Sequence, residues 1–190
     1  MTQQSTTFWN ETSMEPKRNY RFQVDIAGNT NGGKFSGIHF WAKTIDTPSF
    51  DVTEVEHNYY DNKYYYPGRV VWNEISMTIV DPISVNTCYK LNETIEAAGY
   101  NVKTKTDQVT SISKLKASQA LGDTMTITVY DAEGEQVELW TLKNFFLKSA
   151  KFGTLDYSSD ELKQADLTIR YDWATVKGKT TDSELHATTA

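Results

Sequence analysis

Only one cysteine, Cys88, stands in the whole chain, so neither an intrachain disulfide nor a cysteine-based metal cluster can form. Histidine is scarce too, with His39, His57 and His186 as the 3 in the sequence. They give no H-x-x-x-H or H-E-x-x-H spacing, which excludes the common zinc-hydrolase helix. A G-x-S-x-G nucleophile elbow is missing. The glycine-dense stretch Gly28 to Gly33 (GNTNGG) has turn chemistry, without the spacing or the Lys-Ser/Thr ending of a phosphate loop. No apolar run approaches the ~18 residues of a membrane span. The opening residues, MTQQSTTFWNETSMEP, carry neither the basic nor the apolar region of a secretory signal. The expectation is a soluble chain made in a cytosol, where the Asn10-Glu-Thr12 and Asn92-Glu-Thr94 sequons go unused. Basic residues are outnumbered, 19 Lys and Arg against 25 Asp and Glu, for a net charge of −6. That balance argues against a general nucleic-acid binder, which needs a basic face. It does not argue against a surface that DNA must slide past without sticking.

Carboxylate pairs are what remains for acid–base chemistry. Glu54/Glu56 and Asp166/Asp172 fall on the polar faces of strand-like runs. A glycosidase needs its two carboxylates in a cleft, one with a raised pKa, and nothing in the sequence signals a cleft. Solvated sheet faces are the favoured reading. Asp131, Glu133 and Glu135 lack the full calcium-loop spacing. Cys88 falls on the apolar face of a helix, where a buried structural thiol is expected rather than a nucleophile. No catalytic residue, metal or cofactor is assigned.

Aromatics are abundant, at 13% of the 190 residues. Those with a polar handle serve interfaces as well as cores. The chain reads as one domain of about 19–176, with a flexible, polar N-terminal arm at 1–18 and a flexible C-terminal tail at 177–190. The favoured reading of the arm is a disordered segment; in a second reading its large apolar residues, Phe8 and Trp9, dock on a neighbouring subunit. Asn19 to Ile26 alternates Tyr20, Phe22, Val24 and Ile26 with polar partners, a strand signature. Phe35 to Lys43 reads as its hairpin partner, bulged near Gly37. Val52 to Asn58 alternates again. Val70 to Val80 is read as one strand, with Val71, Ile75, Met77 and Ile79 on one face. Asp81-Pro82 reads as N-cap and first residue of a helix carrying Cys88, Leu91, Ile95 and Ala98 inward, with Gly99 as its stop. Lys114 to Ala120 allows a short second helix. Thr124 to Tyr130, Gln136 to Phe146 and Ala165 to Trp173 complete the strands. LDYSSDEL is read as a turn.

Between two of these runs lies NYYDNKYYYPG. Tyr59, Tyr60, Tyr64, Tyr65 and Tyr66 surround Lys63 and close on Arg69. A core could not satisfy so many phenols cheaply, whereas a protruding hairpin packed on a neighbour could. These residues are the expected interface between subunits or rings.

Four segments together, RNYRFQVDI, FWAKTIDTPSF, YYYPGRVVWNEISMTIVDP and LKNFFLKSAKFGTLDYSSDELKQADLTIRYDWATV, resemble the tail tube proteins of contractile-tailed (myovirus-type) bacteriophages in order and spacing. The resemblance covers about 19–176. It departs in the last segment, where Lys148 or Ser149 stands in place of the family's proline, and both termini look extended. It implies a mainly β fold of two packed antiparallel sheets with a flanking helix. It further implies sheets that join between subunits into a barrel-like hexameric ring, and rings that stack into a tube inside a contractile sheath. Expected partners are copies of the chain, the sheath protein and the baseplate initiator and terminator proteins. DNA would pass through the lumen without specific binding, and the expected location is the virion tail, assembled in the host cytoplasm. A polar, acidic wall would repel DNA, which makes Glu54, Glu56, Glu74, Ser76, Thr78, Asp166 and Asp172 the lumen candidates. Alternatives are a baseplate tube initiator of the same fold, the tube of a related injection or secretion system, and, more remotely, a β-sandwich binding module or carbohydrate-active enzyme.

Overall fold

The computed structural model describes residues 16–27, 42–83, 86–100, 111–122 and 124–178. Phe8, Trp9, the turn at Gly28 to Gly33, the bulge near Gly37, His39, His186 and the tail beyond Gly178 lie outside the described residues. The elements are β1 (Phe22–Ala27), β2 (Ala42–Ile45), β3 (Phe50–Tyr59), β4 (Asn62–Trp72), β5 (Ile75–Val80), α1 (Thr87–Ala97), α2 (Lys114–Leu121), β6 (Thr124–Tyr130), β7 (Gln136–Lys143), β8 (Phe146–Lys151), β9 (Gln164–Arg170) and β10 (Trp173–Gly178).

Alternation builds two antiparallel sheets, one ordered β1-β6-β7-β10 and the other β2-β5-β9-β8. Val24, Ile26, Met125, Ile127 and Leu142 point inward from the first. Ile75, Met77, Ile79, Leu167 and Ile169 point inward from the second, and the two sets share one core. Burying each such side chain contributes about 1.5–3 kcal/mol, so the pleat is strongly specified on these strands. Leu91 brings α1 into the same core, fully buried. The short second helix, α2, also forms, and its Ala117 and Ala120 pack with Ala98 and Phe146.

Several boundaries differ from the sequence reading. Most of the second strand read at Phe35 to Lys43, and with it the hairpin to the first, lies outside the described residues. Among the described strands, β1 pairs with β6, Val24 opposite Ile127 and Ile26 opposite Met125, while β2 pairs with β5 in the other sheet. Matching apolar pleats across a long sequence separation decided this. Val70 to Val80 is two strands, broken at Asn73, whose side-chain amide donates to Asp51 at 2.9 Å. Val71 is exposed where Ile75 is buried. The segment Gln136 to Phe146 also breaks, at Asn144, which has φ 53°, and the chain passes from one sheet to the other there. Ala165 to Trp173 ends its strand at Arg170, and Trp173 opens β10. Asp172 is therefore in a turn rather than on a strand face. Asn86, not Asp81, caps α1, accepting the Tyr89 N–H at 3.1 Å. Asp81 still serves that helix end by accepting the Thr87 N–H at 2.7 Å. Cys88 is half-buried rather than buried, with Lys163 Nζ at 3.3 Å.

Candidate assembly surface

β3 and β4 leave the body as a two-stranded arm. Their strands have 10 and 11 residues, a reach of roughly 35 Å at about 3.3 Å per residue. The arm continues the β2–β5 ladder. Asp46 N–H donates to Ser76 C=O and Asn73 N–H to Ser49 C=O, each at 2.9 Å, so backbone pairing bridges the break. Phe50 stacks edge-on against Trp72 at 5.3 Å between centroids, and Trp72 meets the buried Tyr171 at 6.0 Å. That aromatic chain roots the arm in the core.

A bulge beside Thr53 sets the arm's register. Thr53 Oγ1 accepts the Arg69 N–H at 2.8 Å and donates to the Arg69 carbonyl at 3.2 Å. A Cβ at Gly68 would stand 2.5 Å from Thr53 Oγ1 and 2.9 Å from its carbonyl oxygen, so only glycine fits there without a shift. At the tip, Tyr59 and Tyr60 meet edge to face at 4.7 Å.

Residues directly opposite in a ladder share a face, and this divides the expected interface. Glu54 faces Pro67, and Glu56 faces Tyr65. Lys63 joins them, its ammonium 2.9 Å from Glu56. The other face carries Val55 opposite Tyr66, His57 opposite Tyr64, and Tyr59 opposite Asn62. Arg69, beside Gly68 in the bulge opposite Thr53, is on this second face. So one face is acidic, with Lys63 and Tyr65 on it. The other is aromatic and basic, holding Tyr59, Tyr64, Tyr66 and Arg69. Both faces are exposed along nearly their whole length.

The lumen candidates do not form one wall. Ser76, Thr78 and Asp166 do come together on the solvent face of the second sheet, with Thr78 donating to Asp166 at 2.8 Å. Ser149 and Thr168 continue that hydroxyl-rich face, bonded to each other at 3.0 Å. Glu74 lies at its arm end, paired with Lys148 at 2.5 Å. Glu54 and Glu56 are out on the arm. Asp172 lines a groove of about 620 Å³ at the arm's root, with Val70, Trp72 and Phe146. Burial alone would raise its pKa, but Lys114 at 2.7 Å and the Asn144 amide more than offset this and hold it below the usual carboxylate range.

The sequence reading missed a second exposed apolar surface, the loop at residues 152–163. Leu155 is 82% exposed and Leu162 70%, with Tyr157 fully out in solvent. Its length was the available signal, since LDYSSDEL sits inside a connection much longer than a hairpin turn, and such loops commonly carry function. Asp156 accepts from the Ser158 N–H and hydroxyl at 2.9 and 2.8 Å, which lowers its pKa. Among the described residues, no cluster of His, Cys, Asp and Glu is arranged to hold a metal ion.

This fold occurs in contractile injection assemblies. A chain in the anti-feeding prophage tube-terminating cap superposes with a TM-score of 0.60 at 17% identity, covering 86% of this chain and 92% of that one. A chain in the 6-fold symmetrised anti-feeding prophage baseplate gives 0.60 at 13% identity, covering 88% and 99%. A chain in the sheath–tube complex of the extracellular contractile injection system PVC, in its extended state, gives 0.57 at 16% identity, covering 92% and 99%. No protein-family model matches the sequence, and no curated protein matches it either. At these identities the likeness is one of fold.

Proposed function

We propose that this chain is a structural tube protein that forms hexameric rings, stacked into the inner tube of a contractile particle. The observation that carries the reading is the arm. A two-stranded ribbon exposed on both faces is marginal in water, and this one bears Tyr59, Tyr60, Tyr64, Tyr65 and Tyr66, all about half exposed or more. It gains stability only against another surface. The strands that are outermost among the described residues, β1, β10, β2 and β8, are the second support, because ring closure by strand pairing removes such edges. The solved chains that share the fold come from cap, baseplate and sheath–tube structures, which favours a structural role over an enzymatic one.

Within this reading the tube belongs to a myovirus-type phage tail, its lumen passes DNA, and the sheath and baseplate proteins are its partners. The baseplate likeness supports a second reading, a tube initiator of the same fold. Negative-stain microscopy of the purified chain tests both. Six-fold rings and uniform tubes are expected. A stable monomer at high concentration would sink the proposal, and single rings that never elongate would favour the initiator. Nuclease-protected DNA in purified particles containing the chain distinguishes a phage tail from an injection device.

A further inference from the structure

The arm and the loop at 152–163 leave the second sheet at opposite ends. β5 begins at Ile75, next to the arm, and ends at Val80. β9 runs antiparallel, with Val80 opposite Gln164 and Ile75 opposite Ile169. The loop preceding Gln164 is therefore at the far end, where Asp81 N–H donates to Lys163 C=O at 2.9 Å. Ile83, fully exposed, adds an apolar side chain at that end. One chain thus presents two unlike exposed surfaces at the two poles of one sheet.

The two surfaces match in chemistry. The aromatic face of the arm carries Arg69 and His57. Its one carboxylate, Asp51, is at the root and bonded to Asn73. The loop carries Asp156, Asp160 and Glu161 among its apolar residues. Its cations are at its ends, and Lys163 is held by Asp81 at 2.9 Å. The opposite arm face keeps one net negative charge, Glu54 and Glu56 against Lys63, and offers the acidic loop no free cation, so charge favours the Arg69 face. A contact between two unlike patches closes into a ring or runs on as a filament according to its rotation, and patches at opposite ends of one sheet suit the second, stacking one copy beyond the next.

We infer that the Val55–Tyr64–Tyr66–Arg69 face of the arm docks head to tail on the 152–163 loop of a second copy in the next ring. This rests on the tube reading above and adds its receptor surface. It leaves Glu54 and Glu56 on the side turned away from the contact.

The test is a charge exchange on the full chain, read by sedimentation and negative-stain microscopy. Arg69→Glu alone, and Asp160→Lys with Glu161→Lys alone, are expected to leave rings but cut the tube fraction at least tenfold. Combining the three substitutions is expected to restore tubes. Tyr157→Ser, which changes no charge, should also block stacking. Thermal melting is the control for folding of these exposed positions. Loop variants that elongate like the wild type, or a combination that rescues nothing, overturn the inference while wild-type tubes keep the tube reading standing. A wild-type chain that stays monomeric overturns both.

Discussion

Gly68 is the residue on which the arm's shape depends most directly. The close approach of Thr53 leaves no room for a Cβ, and the paired Thr53–Arg69 hydrogen bonds stand in for ladder bonds at the bulge. Gly68→Ala should cost the arm about 1–3 kcal/mol. Hydrogen exchange should then be faster in β3 and β4, with β5 and β9 still protected. Equal protection throughout would show that the bulge absorbs the methyl group. Asp81 is the second such residue. Burial alone would raise its pKa, but the hydrogen bonds from Lys163 and Thr87 and the Lys163 charge win, and the net shift is downward. A carboxylate with a depressed folded pKa contributes stability that is complete above its unfolded value and lost as pH falls through the folded one. The Asp81 contribution should therefore be constant at neutral pH and be lost as pH falls below the ordinary aspartate range, through its lowered folded pKa. Asp81→Asn should be less stable at pH 7 and flatten the acid limb of a denaturation series. An unchanged limb would remove Asp81 from the account.

Elements follow their caps and pleats. α1 starts where Asn86 turns the backbone to φ 45° and accepts the Tyr89 N–H. Asn86→Ala loses the cap and places an alanine in a left-handed conformation, so about 1 kcal/mol or more of stability should go. Urea unfolding measures this, and a loss below ~0.3 kcal/mol would contradict the cap. The arm's pleat makes a sharper statement about its tyrosines. Tyr64 and Tyr66 share a face with Val55 and His57, while Tyr65 shares one with Glu56. Tyr64→Ser with Tyr66→Ser should block ring stacking, since buried aromatic anchors carry about 2 kcal/mol or more each. Tyr65→Ser alone should leave most of it. Equal effects in the sedimentation assay would mean that the arm is gripped on both faces.

At the scale of the whole molecule, charge placement matters more than the net value. The expected acidic wall is partly neutralised where it can be seen, by Lys63 on Glu56, Lys148 on Glu74 and Lys114 on Asp172. The solvent face of the second sheet is richer in hydroxyls than in carboxylates. Lys151, opposite Asp166, and Arg170 place cations on that same face, so it is mixed in charge rather than acidic. Glu54→Lys with Glu56→Lys should leave rings and tubes intact by microscopy, yet lower infectivity at low salt and recover partly at higher salt. Full infectivity at every ionic strength would take these residues away from the DNA path.

The sequence by itself determined the β class, the inward sets Val24/Ile26, Met125/Ile127 and Leu167/Ile169, the apolar stripe at Leu91, and the anomaly of the tyrosine run. Each of these is local, because period-two or helical spacing needs only neighbouring residues to be read. Tertiary structure alone decided which strands pair. β1 lies against β6, because pairing energy comes from matching pleats far apart in sequence. It also decided the breaks at Asn73 and Asn144, where a polar side-chain bond or a left-handed residue redirects the chain between layers. The division of the arm into an acidic and an aromatic face depends on a bulge that shifts register by one residue, which alternation in a single strand cannot reveal. The 152–163 loop read as a turn became a candidate surface only when the β5–β9 ladder placed it at the pole opposite the arm.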